Sequence, residues 1–239
     1  MKKLLVLACT LCIAQSAMAG NINIGALTGA SAQTDFRNLS EDLGSALSYK
    51  AVTPAASLGI TGFDIGIEVT QTNLAKSASL WQTLGASNMS NMYMPKLHIA
   101  KGLPLNFDVA VVAATVPTTG INLYGGELRY GILPGSMAMP AIAIRGSLTK
   151  LSGVSNLALD TKGLDISISK GFAFFTPYAG IGQVWTNSTP DVVGLNAEKF
   201  TQKKMFVGAN LNFGVTNLAA EYDKTGDAAS TSIKLGFRF

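Results

Sequence analysis

From Phe63 onward, apolar residues recur at every second position. Phe63, Ile65, Ile67 and Val69 alternate with Asp64, Gly66, Glu68 and Thr70. Tyr93, Leu97 and Ile99 alternate with Met94, Lys96 and His98, and Leu105, Phe107, Val109 and Val111 with Asn106, Asp108 and Ala110. A period of two is that of a β-strand, whose successive side chains point to opposite faces. Further runs cover about 120–132, 138–150, 157–169, 172–186, 200–213, 216–224 and 229–239, separated by turn material such as "LPGSM", "SKGF", "FGVT" and "KTGDA". The pattern predicts about ten antiparallel strands, with twelve as the alternative count. Pro95 has no N–H to donate, so a strand end or bulge is expected there.

Before Phe63 the period differs. Phe36, Leu39, Leu43 and Leu47 are three and four residues apart, which predicts an amphipathic helix over about 35–48, with Thr34 or Asp35 as N-cap and Glu41 and Asp42 on the opposite side. Gly44 in its middle costs about 1 kcal/mol relative to alanine. "AVTPAASLGITG" reads as a linker or an extra short strand. Residues 1–19 have the form of a secretory signal peptide: Lys2 and Lys3, an apolar run, then Ala17-Met18-Ala19. The expected organisation is a signal at 1–19, an N-terminal segment at 20–62 and a barrel at 63–239. Cys9 and Cys12 leave with the signal, so packing and backbone ladders hold the rest without disulfides.

Composition then narrows the class. The chain is 48% hydrophobic and 13% charged, with mean hydropathy +0.31, whereas soluble domains are about a quarter charged. Yet the longest apolar stretch after the signal, Val109 to Val116, is far short of the roughly 20 residues a membrane helix needs. An apolar chain without apolar helices points to a membrane β-barrel, because in hydrocarbon each unpaired backbone group costs several kcal/mol and only a closed sheet has no edge. Turns after every second strand are short and the others longer, the asymmetry of outer-membrane barrels with periplasmic turns and outer loops. An even strand number is expected to return both ends to the periplasm. Tyr93, Trp185 and Tyr222 fall at the expected outer strand ends, and Tyr130, Phe213, Phe237 and Phe239 at the inner ends, where interfacial girdles belong. The net charge of +4 falls by two once Lys2 and Lys3 leave, too little to favour nucleic acid.

The closing stretch "AAEYDKTGDAASTSIKLGFRF" resembles the last hairpin of Gram-negative outer-membrane β-barrels. Its end is similar to the C-terminal signal read by the barrel-assembly machinery: terminal Phe239, with Phe237 and Leu235 on the same face. The resemblance implies a location in the outer membrane and that machinery as a partner during biogenesis. It implies no catalytic residue.

The face opposite the lipid-facing set carries Asp64, Glu68, Lys96, His98, Asp108, Glu127, Arg129, Arg145, Asp165, Glu221, Lys234 and Arg238, expected to line the lumen. In a narrow barrel such mixed charges either neutralise one another or form a charged constriction. The helix needs a place to bury its stripe: inside the lumen as a plug, under the periplasmic mouth as a lid, or loosely on the membrane surface, with plug or lid the expectation. His98 is the only histidine, and no serine is tied to it. "SLTK" at Ser147 and "SISK" at Ser167 match S-x-x-K only in letters, since on strands the two side chains point oppositely. No cofactor loop or metal-ligand spacing is present, and no enzyme is expected.

Lys199, Lys203 and Lys204 form either a solvated rim or a site for lipopolysaccharide phosphates. Trp81 and "SNMSNMYM" sit in or beside the longest outer loop, where recognition is expected. The leading expectation is a monomeric barrel acting as a narrow channel or uptake protein for small solutes. The alternative is a closed structural or surface-interaction barrel that binds a partner or lipopolysaccharide through its outer loops. A soluble secreted β-sandwich is the alternative fold, which would not call for aromatic girdles.

Overall fold

The computed structural model describes residues 23–85, 89–115, 121–136 and 138–239. Ten strands are formed: β1 Phe63–Asn73, β2 Asn91–Gly102, β3 Phe107–Thr115, β4 Asn122–Pro134, β5 Ala141–Ser152, β6 Leu157–Ser169, β7 Phe175–Pro190, β8 Glu198–Phe213, β9 Thr216–Thr225 and β10 Ala228–Arg238. Each pairs antiparallel with its sequence neighbours, and β10 returns to β1, closing the barrel. The seam runs from Asp64↔Arg238 to Thr72↔Ser230. At its end the Phe63 and Phe239 backbones exchange N–H···O bonds of 2.7 and 3.0 Å, and their rings stack at 5.6 Å. The alternation of "TSIKLGFRF" therefore persists because its backbone is the partner of the first strand. The β-sandwich alternative is excluded by this closure.

Several boundaries differ from the sequence reading. Leu105 is not in β3: it sits at φ 62° in a short 3-10 turn, and the strand begins at Phe107. Pro95 neither ends nor bulges β2. It pairs with Val69 on one side, while pairing to β3 begins only at Lys96, so its missing donor is not needed. "AVTPAASLGITG" forms no strand. The "VPTTG" loop lies outside the described residues, as do residues 86–88 of the longest outer loop. That loop does include a short helix, Leu80–Thr83.

The faces of the barrel are chemically distinct. Ile65, Ile67, Leu97, Ile99, Val111, Leu128, Leu148, Ile166, Ile181, Val207 and Ile233 point out and are exposed, a lipid-facing band. Outward rings bound it at both ends: Trp185 and Tyr222 towards the longer loops, Tyr130, Phe213, Phe237 and Phe239 towards the short turns.

The N-terminal helix, α1, spans Ala32–Leu47 inside the barrel. It begins before the expected start, because Gln33 in its first turn is held by the β7–β8 loop, donating to the Asn196 carbonyl at 3.2 Å and accepting from its N–H at 2.9 Å. Phe36, Leu39, Leu43 and Leu47 are buried against inward Met92, Met94, Leu123, Leu151, Leu157 and Leu159, together with Trp81 and Leu84 from the β1–β2 loop. The outer half of the lumen is thus an apolar core. Gly44 is explained by close approach: a Cβ there would lie 2.6 Å from Thr186 Oγ1 on β7.

After α1 the chain continues through the lumen without regular structure, buried from Ser48 to Ala55, and turns at 58–62 into β1. The strands begin and end at one mouth, the one with the short turns, and the chain reaches β1 by descending through the lumen. Asn23 is at the opposite mouth, its N–H bonded to Leu84 O at 3.3 Å and its backbone bridged to Ser155 of the β5–β6 loop. A cysteine at exposed Thr28 should therefore react with a membrane-impermeant maleimide on intact cells, whereas one at Leu105, on a short turn at the mouth expected to face the periplasm, should react only after lysis. Labelling of both only after lysis would refute this path.

Candidate functional site

The site is the lumen and what fills it. Below α1 the wall carries paired charges. Lys96 Nζ lies 2.8 Å from Glu68, Arg129 2.8 Å from Asp108, and Lys234 2.9 Å from Asp64. Arg145 faces two carboxylates, Glu127 at 2.8 Å and Asp165 at 3.4 Å. All are buried, where a charge without a partner would be costly. Arg238 turns inward and donates to Thr53 Oγ1 at 3.3 Å. His98 meets Tyr49 Oη through Nε2 at 3.4 Å, and Glu221 is buried without an ion pair among the described residues. The twelve residues expected on the inward face all point into the lumen, but most are engaged with one another.

The wall also holds the extended segment by its backbone. Lys204 donates to Tyr49 O at 2.7 Å and Arg129 to Pro54 O at 2.7 Å; Ala55 N–H reaches Ser169 Oγ at 3.1 Å and Leu58 N–H reaches Asp108 Oδ1 at 3.0 Å. Higher up, Ser40 and Ser188 hydroxyls are 2.8 Å apart, and Gln202 donates to Ser45 Oγ at 3.0 Å. At the junction of helix and extended stretch, Lys50 pairs with Asp223 of β9 at 3.1 Å, both almost wholly buried. Lys50 Nζ also donates to Ser45 O and Ser48 Oγ, each at 2.9 Å.

Sequence reasoning missed this latch. Asp223 lies two residues beyond Glu221 on the same face, so alternation alone would have included it. Lys50 was passed over inside a stretch read as linker. Lys204 was grouped with Lys199 and Lys203 at the rim, but it points inward and is buried, because adjacent strand residues face opposite ways.

The outer mouth is fixed by a second set of contacts. Asp42 of α1 accepts from both N–H and Oγ of Ser77 at 2.8 Å, and burial pushes its carboxyl above the usual range. Trp81 neither meets solvent nor forms a bare constriction: it is buried and donates to Ser77 Oγ at 3.1 Å. Arg37 bonds Glu41 at 2.6 Å and Glu198 at 2.9 Å, and Lys76 bridges Glu41 to Asp227 of the β9–β10 turn. The hydrogen bond from Lys76 holds the exposed Asp227 carboxyl below its ordinary range.

No protein-family model matches the chain, and no curated protein matches it. Among solved structures it is similar to the KdgM porin in complex with disordered oligogalacturonate, at 10% identity and TM-score 0.40 over 74% of this chain and 99% of that one. It is also similar to OprG from Pseudomonas aeruginosa, at 11% identity and TM-score 0.34 over 80% and 99%. Omp33 from Acinetobacter baumannii aligns at 8% identity and TM-score 0.32, over 77% and 100%. These likenesses are of barrel architecture. The protein is a closed ten-stranded antiparallel β-barrel.

Proposed function

We propose that the protein is a gated, non-catalytic uptake channel for small polar solutes, with residues 32–57 as its gate. One observation carries this reading. In the lower lumen the wall grips an irregular, extended stretch largely through polar and charged side chains on backbone groups, contacts that a solute or water can replace. Val52, buried in this stretch at φ 46°, sits in a conformation costly for a β-branched residue, so the filled state stores local strain.

The gate does not open by itself. Burial of Phe36, Leu39, Leu43, Leu47 and Val52 contributes on the order of 10 kcal/mol. At about 1.4 kcal/mol per decade, that term taken alone weighs against the unplugged state by about seven decades, opposed by the chain entropy regained on release. Opening requires a solute or a partner to offset that energy. The same apolar packing favours the second reading, a closed barrel in which α1 fixes the outer loops for binding at the cell surface.

A disulfide lock separates the two. Ser40→Cys with Ser188→Cys replaces a hydroxyl pair 2.8 Å apart. In a porin-deficient host, uptake of a small hydrophilic chromogenic substrate should fall to the host background when the pair is oxidised and recover on reduction. Equal permeability in the two states would leave the closed barrel.

A further inference from the structure

The lipid-facing side of β5–β8 departs from a plain apolar band. Lys162 on β6 and Lys199 and Lys203 on β8 all point outward. Strand register places them around one ring. Lys162 is opposite Trp185 and Trp185 opposite Thr201; Lys199 lies one pair above, opposite Asn187, and Lys203 one pair below, opposite Gln183. Trp185 itself is 41% exposed. The side chains enclose an open recess of about 470 Å³ lined by Asp160, Lys162, Trp185, Asn187, Lys199 and Thr201.

Charge in this recess is unbalanced. Asp160 is the one acid, and its Oδ1 already accepts from Asn187 at 3.2 Å. Among the described residues none of the three lysines has an ion pair. Interfacial lysines commonly extend towards headgroups, so cations at this depth alone would mean little.

Two apolar grooves adjoin the recess, one on each side. The first, about 590 Å³, lies between Ile144, Leu164, Ile166, Ile181 and Met205 and shares Trp185 with the recess. The second, about 580 Å³, is flanked by Val111, Leu128 and Leu148 and shares Lys162. Its floor is Gly126 and Gly146, on the outward face of β4 and β5. A Cβ at Gly146 would meet nothing within 4 Å, so the groove exists because a side chain is missing and no neighbour fills the space.

A cationic recess at the outer interface, continuous with apolar troughs running towards the membrane centre, matches a lipid that carries phosphate on its headgroup and several acyl chains. In the outer leaflet of a Gram-negative outer membrane, the location that the resemblance of the closing hairpin implies and on which this inference rests, that lipid is the lipid A part of lipopolysaccharide. We propose that the outward face of β3–β8 forms a lipid A site. A phosphate is held by Lys162 and Lys199 in the recess, with Lys203 at the edge of the adjoining groove; Trp185 lies beside the sugar, and acyl chains occupy the two grooves. The site is independent of whether the lumen conducts.

The test is native mass spectrometry of the purified full-length protein in dodecyl maltoside, titrated with bis-phosphorylated hexa-acyl lipid A. Replacing Lys162, Lys199 and Lys203 together by alanine should weaken binding about tenfold or more, as loss of charge-assisted contacts requires. Gly146→Leu should weaken it by filling the groove while leaving the charges in place. Lys101→Ala, at the other end of the barrel, should bind as wild type. Heat-dependent gel mobility establishes that each variant is a folded barrel. Unchanged binding by the triple variant would overturn the proposal. So would equal binding of phosphatidylglycerol, which would reduce the lysines to general interfacial anchors.

Discussion

Deleting residues 20–57 while keeping residues 1–19 should turn a silent barrel into one with a steady open-channel conductance in planar bilayers. The deletion removes the helix, the extended segment below it and their wall contacts except that of Leu58 with Asp108, but no strand. The ladder stays closed, since β1–β10 pair only with one another and the Phe63–Phe239 seam lies outside the deleted stretch. The truncated protein should therefore still change its gel mobility on heating. Its exposed lumen keeps Glu68–Lys96, Asp108–Arg129 and Glu127–Arg145–Asp165, pairs that remain neutralised when water enters. A barrel that shifts on heating yet passes no current would end the channel reading. The deletion should also loosen the β1–β2 loop, since Asp42 holds Ser77 and α1 covers Trp81 and Leu84. Faster protease cleavage between residues 74 and 90 is the accompanying measurement.

The wall was legible in the sequence and its contents only partly so. A strand writes its two environments into alternate letters, so ten strands, the lipid face and the inward charges could be read residue by residue. The stripe of Phe36, Leu39, Leu43 and Leu47 likewise announced a helix with a face to bury. It could not announce against what, because Met92, Leu123, Leu151 and Leu159 come from strands far along the chain and look like ordinary members of alternating runs. The segment from Ser48 to Ala55 has no period at all. It is held by wall side chains acting on its backbone, and such contacts leave no mark on the identity of the residues held. For the same reason nothing before the fold indicated that the chain enters its own barrel from the outer mouth.

Lys50 offers the sharpest single-residue test of how tightly the gate is held. Its ammonium and the Asp223 carboxylate are 3.1 Å apart with almost no exposure, in the narrow zone where α1 gives way to the extended segment. Lys50→Met keeps the length of the side chain and leaves Asp223 as a buried charge supported only by Thr225 among the described residues. Removing one partner of such a pair costs about 3–5 kcal/mol. That is a third to a half of the apolar term holding the plug, so the unplugged fraction should rise about a hundredfold or more. Openings in single-channel records should rise in the same proportion while remaining brief and rare, and trypsin should reach Arg37 sooner. Asp223→Asn added to Lys50→Met removes the stranded charge and should restore most of the closure, because a neutral pair has little to gain from water. If the double variant opens as readily as the single one, the lysine acts through its hydrogen bonds to Ser45 and Ser48, and the latch is a cap on the helix end instead of an ion pair to the wall.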